Sequence, residues 1–153
     1  MLTNSELKYF SSLLLKKNRQ TEKKFIVEGT KLVVEGLNSD FACEIIFVTN
    51  NYADNNPGVL NSIVKKKLRL EILREEQFKN LTDTDSPQGI VAVFRFGKRQ
   101  VNPNELYDDK MIIYLDNISD PGNVGTILRT ADWFGVKNIL LSPGCVELYN
   151  PKV

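Results

Sequence analysis

Hydrophobic positions along residues 1–96 follow two periods, one typical of strands and one typical of helices. Short apolar runs such as FIVEG (Phe25–Gly29) and EIIFVTN (Glu44–Asn50) predict buried strands, whereas leucines and Phe10 at helical spacing predict an opening helix over Ser5–Lys17. Because strands and helices alternate here, we expect βα units and a layered α/β sandwich. The same patterns predict further helices at 30–37, 59–67 and 75–81, strands at 68–73 and 89–96, and a loop at 50–58.

A polar stretch without periodicity, residues 97–109, interrupts this pattern. We interpret it as a linker between a domain of residues 1–96 and a second domain of residues 110–153. The second domain opens with a nearly continuous apolar run, KMIIYLD (Lys110–Asp116), which is typical of a parallel strand covered on both faces. A helix and the strand KNILLS (Lys137–Ser142) follow, so we expect one βαβ unit, right-handed by the usual rule.

The helix of the second domain is defined by its end signals. Asp120 can cap its first turn, Pro121 suits the first helical position, and Gly135 suits the residue after its end. Gly125 lies inside this helix at a cost of about 1 kcal/mol relative to alanine, which indicates close approach of backbone or ligand. Arg129 projects from the face opposite the apolar stripe, where the simplest role is that of a surface arginine.

The residue types present exclude several kinds of chemistry. The chain has no histidine, and its two cysteines, Cys43 and Cys145, are far apart. Zinc sites built from Cys and His are therefore excluded, as is catalysis of the Ser-His-Asp or Cys-His type, and we predict no metal site. We expect both cysteines to be free, buried thiols. The glycines at 122 and 125 do not match the dinucleotide or P-loop spacing, so a Rossmann-type dehydrogenase is disfavoured.

The net charge of +1 conceals an asymmetry, since the first hundred residues are basic overall and the remainder is acidic. Basic side chains concentrate at residues 8–24 and 65–74. Each cluster is either a solvated face or an electrostatic footprint for a polyanion such as RNA. The candidate RNA contacts are Lys16, Lys17, Arg19, Lys65, Lys66 and Lys67.

The sequence also bears on where the protein works. We find no apolar run of the length needed to cross a bilayer. The LLL run at 13–15 is too short for a signal peptide and is followed by basic residues. We therefore expect a cytoplasmic protein with no membrane partner.

The segment DNISDPGNVGTILRTADWFG, residues 116–135, resembles the first signature motif of the SpoU (TrmH-like) branch of the SPOUT RNA methyltransferases. Upstream, FIVEGTKLVVEGL (Phe25–Leu37) and LTDTDSPQGIVAVF (Leu81–Phe94) resemble that family's N-terminal substrate-binding domain, which has an L30e-like fold. The three blocks occur in the family's order. The resemblance implies an L30e-like α/β sandwich domain followed by the first βαβ part of a SPOUT (trefoil-knot) α/β domain.

Membership of this family implies transfer of a methyl group from S-adenosylmethionine to a ribose 2′-hydroxyl of RNA by a homodimer, with rRNA favoured over tRNA as substrate. Arg129 matches the motif arginine assigned to activating the hydroxyl, and Asn123 matches the asparagine that helps to arrange the reacting centre. Asn117 and Asp120 lie in the same loop and are weaker candidates. Because the pKa of arginine is above about 12, we expect Arg129 to position the hydroxyl or an adjacent phosphate.

The family's second and third motifs, which form the knotted segment around the cofactor, follow the first, whereas this sequence ends at Val153 in GCVELYNPKV. We therefore expect a fragment that neither binds the cofactor properly nor catalyses, with the cofactor-binding residues beyond Val153. We also expect residues 110–153 to expose apolar faces and unpaired strand edges, and to be rearranged, swapped with a neighbouring chain or poorly ordered. The alternative left open is a non-enzymatic L30e-like RNA-binding module.

Overall fold

The computed structural model describes residues 2–97 and 111–153. These residues belong to two compact units, the first ending at Gly97 and the second lying after it. The predicted linker at 97–109 falls outside the described residues except for Gly97, and so does Lys110 at the start of the predicted fifth strand. No helix in the described ranges is both long enough and apolar enough to cross a membrane.

Helices and strands alternate through unit 1. In chain order they are α1 (Asn4–Ser12), α2 (Lys16–Glu22), β1 (Lys24–Glu28), α3 (Thr30–Asn38), β2 (Cys43–Thr49), α4 (Asn50–Asn55), α5 (Pro57–Lys65), β3 (Leu70–Leu73), α6 (Glu75–Phe78), a 3-10 turn (Lys79–Leu81) and β4 (Ile90–Arg95).

The strands of unit 1 form one mixed sheet in the order β1-β4-β2-β3. β4 runs antiparallel to both β1 and β2, whereas β2 and β3 are parallel. Successive strand residues point to opposite faces, so Phe47 joins a core with α1 and α6, and Val48 joins a second core with α3, α4 and α5. Helices therefore cover both faces of the sheet, and the predicted α/β sandwich is confirmed.

Two local predictions for unit 1 are wrong. The single opening helix is two helices, because Leu13, Leu14 and Leu15 form a tight turn in which each backbone N–H donates to the carbonyl three residues earlier. The predicted loop at 50–58 is largely helical. It contains α4, capped by the Thr49 hydroxyl, and the first two residues of α5, which begins at proline, a residue suited to a helix start.

Unit 2 contains β5 (Ile112–Leu115), α7 (Pro121–Trp133) and β6 (Asn138–Leu141). The two strands are parallel and in register from the pair of residues 112 and 138 to the pair 115 and 141. Leu115, Val124 and Ala131 are buried. The predicted order of strand, helix and strand is therefore present.

Several large apolar side chains among the described residues of unit 2 are exposed. Tyr114, whose register partner on β6 is Leu140, is 62% exposed, and Trp133 and Phe134 at the end of α7 are 85% and 77% exposed. The expected exposure of apolar side chains is confirmed. The expected rearrangement is wrong for the described residues, because β5 and β6 pair in a regular parallel register. Exchange with a neighbouring chain stays a prediction.

Candidate active site

The loops that follow β5 and β6 meet at one edge of unit 2, because the carboxyl ends of parallel strands lie side by side. The backbone N–H of Asn117 donates to Ser142 Oγ at 3.0 Å. In the opposite direction, the backbone N–H of Val146 donates to the carbonyl of Ile118 at 2.9 Å. These two bonds fix the loop that carries Asn117 against the loop after β6.

Asn117 has a φ of +54°, in the left-handed region that asparagine tolerates better than most residues. Its side chain occupies the space beside Gly144, where an added Cβ would overlap the Asn117 carboxamide oxygen. Asn117 therefore lies at the contact between the two loops. Ser142 and Gly144 could not be predicted as its partners from the spacing of the motif, and the one signal for them in the sequence is the glycine shortly after the last strand.

Asp120 is the N-cap of α7, as the sequence predicts. Its Oδ1 accepts a hydrogen bond from the backbone N–H of Asn123 at 2.7 Å, and its carbonyl accepts from that of Val124 at 3.2 Å. The carboxylate is thus committed to the helix start, where it also complements the positive end of the helix dipole. The side chain of Asn123 is exposed in the first turn.

Arg129 is exposed and its side chain turns back toward the start of α7, the usual direction for long helical side chains. Its Nη2 donates to Thr126 Oγ1 at 3.1 Å, and that hydroxyl in turn donates to the carbonyl of Gly122 at 2.8 Å. The structure therefore joins Arg129 to Thr126, one turn earlier, and not to Asn117, Asp120 or Asn123.

Gly125 is buried beneath this arginine. An added Cβ at Gly125 would overlap the carbonyl of Val153 and would lie 3.3 Å from Arg129 Nη1. The prediction of a close approach at this glycine is confirmed, and the approaching group is a backbone carbonyl. Because a guanidinium has five N–H donors, Arg129 retains donors for a hydroxyl or an anion.

The two cysteines are free, as expected, but half-buried instead of buried. Burial raises the pKa of the Cys43 thiol to about 11, so this side chain is uncharged at neutral pH. Cys145 Sγ donates to the carbonyl of Leu115 at 3.3 Å and helps to hold the loop after β6. Among residues 2–97 and 111–153, no group of three or more His, Cys, Asp or Glu side chains could hold a metal ion.

The structure corrects the assignment of Arg19 as an RNA contact. Arg19 is 2% exposed, and its guanidinium donates to the carbonyls of Leu13 at 2.9 Å and Leu14 at 2.6 Å. These carbonyls lie in the turn between α1 and α2, where they have no helical N–H partner to accept from. Arg19 therefore stabilises the turn and is not available to a phosphate.

The five candidate lysines are exposed, and RNA contact stays a prediction for them. Lys16 and Lys17 lie on α2, which Arg19 connects to the core on one face of the sheet. Of the other three, Lys65 is the last residue of α5, which packs on the opposite face, and Lys66 and Lys67 follow it directly. Lys66 Nζ also donates to the carbonyl of Leu37 at 3.0 Å. An RNA molecule that contacted both groups of lysines would have to reach both faces of the sheet.

Comparison with known protein families divides the chain into two parts that correspond to the two units of the structure. Residues 4–92 match the MRM3-like substrate binding domain, and residues 110–153 match the SpoU rRNA Methylase family. The first match alone covers more than half of the chain.

Relatives and solved structures agree with these matches. A 23S rRNA (guanosine(2553)-2'-O)-methyltransferase, RlmP of Bacillus subtilis, is 30% identical over 149 residues, which are 97% of this chain and 56% of that protein. The structure of a putative TrmH-family RNA methyltransferase from Porphyromonas gingivalis covers 99% of this chain with a TM-score of 0.80 and 33% identity. An AdoMet-bound rRNA methyltransferase from Sinorhizobium meliloti has a TM-score of 0.77, 26% identity and the same coverage.

The chain spans 57% and 56% of those two solved chains, and so about half the length of the proteins it matches. Both of its units and the order in which they occur are nevertheless matched. The chain belongs to the SpoU rRNA methylase family, in the group whose N-terminal domain is of the MRM3-like substrate-binding type.

Proposed function

We propose that this chain is part of an RNA 2′-O-methyltransferase acting on ribosomal RNA, in which unit 1 binds the RNA and unit 2 supplies the arginine that holds the reacting ribose. The observation that carries the proposal is the position of Arg129. Its guanidinium is held 3.1 Å from Thr126, on the exposed side of the helix that Asp120 caps. Relatives named as rRNA methyltransferases support rRNA as the substrate class.

S-adenosylmethionine, when bound, supplies a methyl group on a sulfonium, so that the ribose 2′-oxygen gains the methyl carbon, the sulfur retains the bonding electron pair and the hydroxyl proton is released. Arg129 would hold the ribose oxygen or a neighbouring phosphate by charge-assisted hydrogen bonds. It would not take the proton, because a guanidinium stays protonated in proteins. Its contribution is then positioning, which converts a bimolecular encounter into an aligned one.

We propose that the adenosyl group is held mainly by residues other than the described ones of unit 2. The space beside Gly144 is filled by the side chain of Asn117, and the space beside Gly125 is filled by the carbonyl of Val153. We therefore assign no contact with the methyl donor to this chain.

We extend the proposal to a homodimer that draws each active site from two subunits. The uncovered apolar side chains of unit 2, among them Tyr114 and Trp133, support a surface that another polypeptide segment covers.

The proposal is tested with the enzyme expressed from its complete reading frame. Arg129→Ala should lower the rate of methyl transfer to rRNA by about 100-fold or more, the usual loss when one preorganised donor is removed. RNA affinity should remain within about twofold, because one phosphate contact contributes little among many. The matched control is Lys137→Ala, which removes an exposed positive charge elsewhere in unit 2.

Transfer of a labelled methyl group and filter binding of the same RNA separate the outcomes. An unchanged rate of methyl transfer by Arg129→Ala would show that this residue has no role in the active site. A complete protein that binds RNA and transfers no methyl group would contradict the proposed methyltransferase activity. It would favour the alternative of a non-enzymatic RNA-binding module.

A further inference from the structure

Unit 1 contains a polar pocket of about 170 Å³ at the edge of the sheet where β2 and β3 end. Three segments form its walls, namely residues 49–56 with α4, Glu75 at the start of α6, and the residues that precede β4. Its lining includes the polar side chains of Asn51, Tyr52, Asn55, Asn56, Glu75 and Gln88.

The walls of this pocket are held in place before any ligand arrives. The Glu28 carboxylate at the end of β1 accepts hydrogen bonds from the Thr84 hydroxyl at 3.0 Å and from the backbone N–H of Gln88 at 3.1 Å. The Gln88 side chain lies against Gly29, where an added Cβ would be 2.9 Å from its Oε1. A pocket held in this way loses little conformational freedom on binding, which favours affinity.

The pocket holds one carboxylate, that of Glu75, among several side-chain amides. Asn55 Nδ2 already donates to Asn51 Oδ1 at 2.9 Å, and Asn56 Nδ2 already donates to the carbonyl of Tyr52 at 2.9 Å. The carboxylate of Glu75 can only accept. The Glu75 end of the pocket therefore suits a ligand group that carries two N–H donors close together, one for each carboxylate oxygen.

We propose that this pocket binds an unpaired guanine base of the substrate RNA, with Glu75 accepting from the base N1–H and from its 2-amino group. The inference rests on the proposed function, because it assumes that unit 1 binds RNA. Sequence-specific recognition of RNA uses unpaired bases and the hydrogen-bonding edges that pairing would hide. Among the four bases, only guanine presents two adjacent N–H donors on that edge, which match the two oxygens of one carboxylate.

The charges around the pocket are compatible with this ligand. Glu75 would repel a phosphate, but the base enters the pocket and leaves its phosphates outside. Arg74, the preceding residue, is exposed and brings a positive charge to the same place.

The test uses the 153-residue chain labelled with 15N and three RNA pentamers, UUGUU, UUIUU and UUAUU, where I is inosine. UUGUU should shift the backbone amides of Tyr52 and Gln88 and should bind at least about fivefold more tightly than UUAUU, the lower end for a two-bond contact with a base. UUIUU should lie between them, because inosine keeps N1–H and lacks the 2-amino group. Equal affinities, or shifts confined to other parts of unit 1, would overturn the proposal.

Two variants separate base recognition from charge. Glu75→Gln should reduce the preference for guanine over adenine to within about twofold, because an amide presents one acceptor in place of two. Glu76→Gln makes the same change of charge at an exposed neighbour in the same helical turn and should keep the full preference. An unchanged preference in Glu75→Gln, or an equal loss in both variants, would contradict the role of Glu75.

Binding of free 5′-GMP shows whether the pocket recognises guanine within RNA or guanine of a free nucleotide. It should bind much more weakly than UUGUU, because the flanking nucleotides add phosphate and stacking contacts. GMP binding as tight as that of the pentamer would assign the pocket to a free nucleotide instead of RNA. These measurements report binding alone, so their failure would leave the methyl-transfer test of Arg129 unaffected.

Discussion

Replacing Arg19 with alanine should lower the free energy of unfolding of unit 1 by about 3 kcal/mol. The buried guanidinium donates to the carbonyls of Leu13 and Leu14 at 2.9 and 2.6 Å, and hydrogen bonds from a charged donor contribute about 1.5 kcal/mol or more each. Alanine would leave both carbonyls in a turn without this partner. For a unit of this size, the loss corresponds to a fall in Tm on the order of 10–20 °C.

Urea denaturation followed by circular dichroism measures this loss, and Lys17→Ala is the matched control. Lys17 lies two residues earlier on the same helix and is exposed, so alanine there should change the free energy of unfolding by less than about 0.5 kcal/mol. If Lys17 contacts a phosphate, its variant should instead reduce the slope of log affinity against log salt by about 0.7. The reasoning is refuted if Arg19→Ala unfolds like the parent protein and its RNA affinity shows that reduced slope.

Two further predictions concern helix starts. Hydrogen bonds to Glu6, chiefly from the backbone N–H of Thr3, lower the pKa of its carboxyl to about 2 from 4.5, so this group stabilises the fold above pH 4.5 and the stabilisation is lost as the pH falls toward 2. Denaturation at a series of pH values should therefore show a weaker acid dependence for Glu6→Gln, and an unchanged dependence would contradict the assignment. Asp120→Ala should weaken the start of α7 by about 1 kcal/mol, whereas Asp120→Ser should retain the cap. Amide hydrogen exchange of Asn123 should be roughly fivefold faster in the alanine variant than in the serine variant, and equal rates would show that the carboxylate does not cap the helix.

Local signals were sufficient to predict α7. Its cap, its proline and the glycine after its end all act through residues within a few positions of the helix terminus, and the structure has Asp120 as N-cap, Pro121 in the first turn and Gly135 at a φ of +69°. The parallel strands on either side could also be predicted, because short apolar runs that flank a helix are typical of a βαβ unit. The order of strand, helix and strand in unit 2 thus follows from short stretches of sequence.

The burial of Arg19 could not be predicted in the same way. Its partners are carbonyls exposed by the turn at Leu13–Leu15, and helical periodicity continues through that turn without a glycine or proline to mark it. Helix α4 was missed for a related reason. Its six residues NNYADN have loop-like composition, and the helix depends on the cap from Thr49 and on the burial of Tyr52 in the core.

The pocket of unit 1 could not be predicted from residues that are neighbours in the sequence. Glu28 holds Thr84 and Gln88, which lie 56 and 60 residues further along the chain. Nothing near this glutamate in the sequence indicates these partners. Its actual partners depend on the strand order, which brings the end of β1 beside the segment that enters β4.

The strand order also has a consequence for how the polypeptide is made. β4 lies between β1 and β2, yet it is the last strand of unit 1 to leave the ribosome. Until residues 90–95 emerge, β1 has no neighbour to pair with, and β2 can pair only with β3. Nascent chains must therefore carry apolar strands through most of the synthesis of this unit without the sheet that will bury them. Such intermediates are the species that chaperones protect from aggregation.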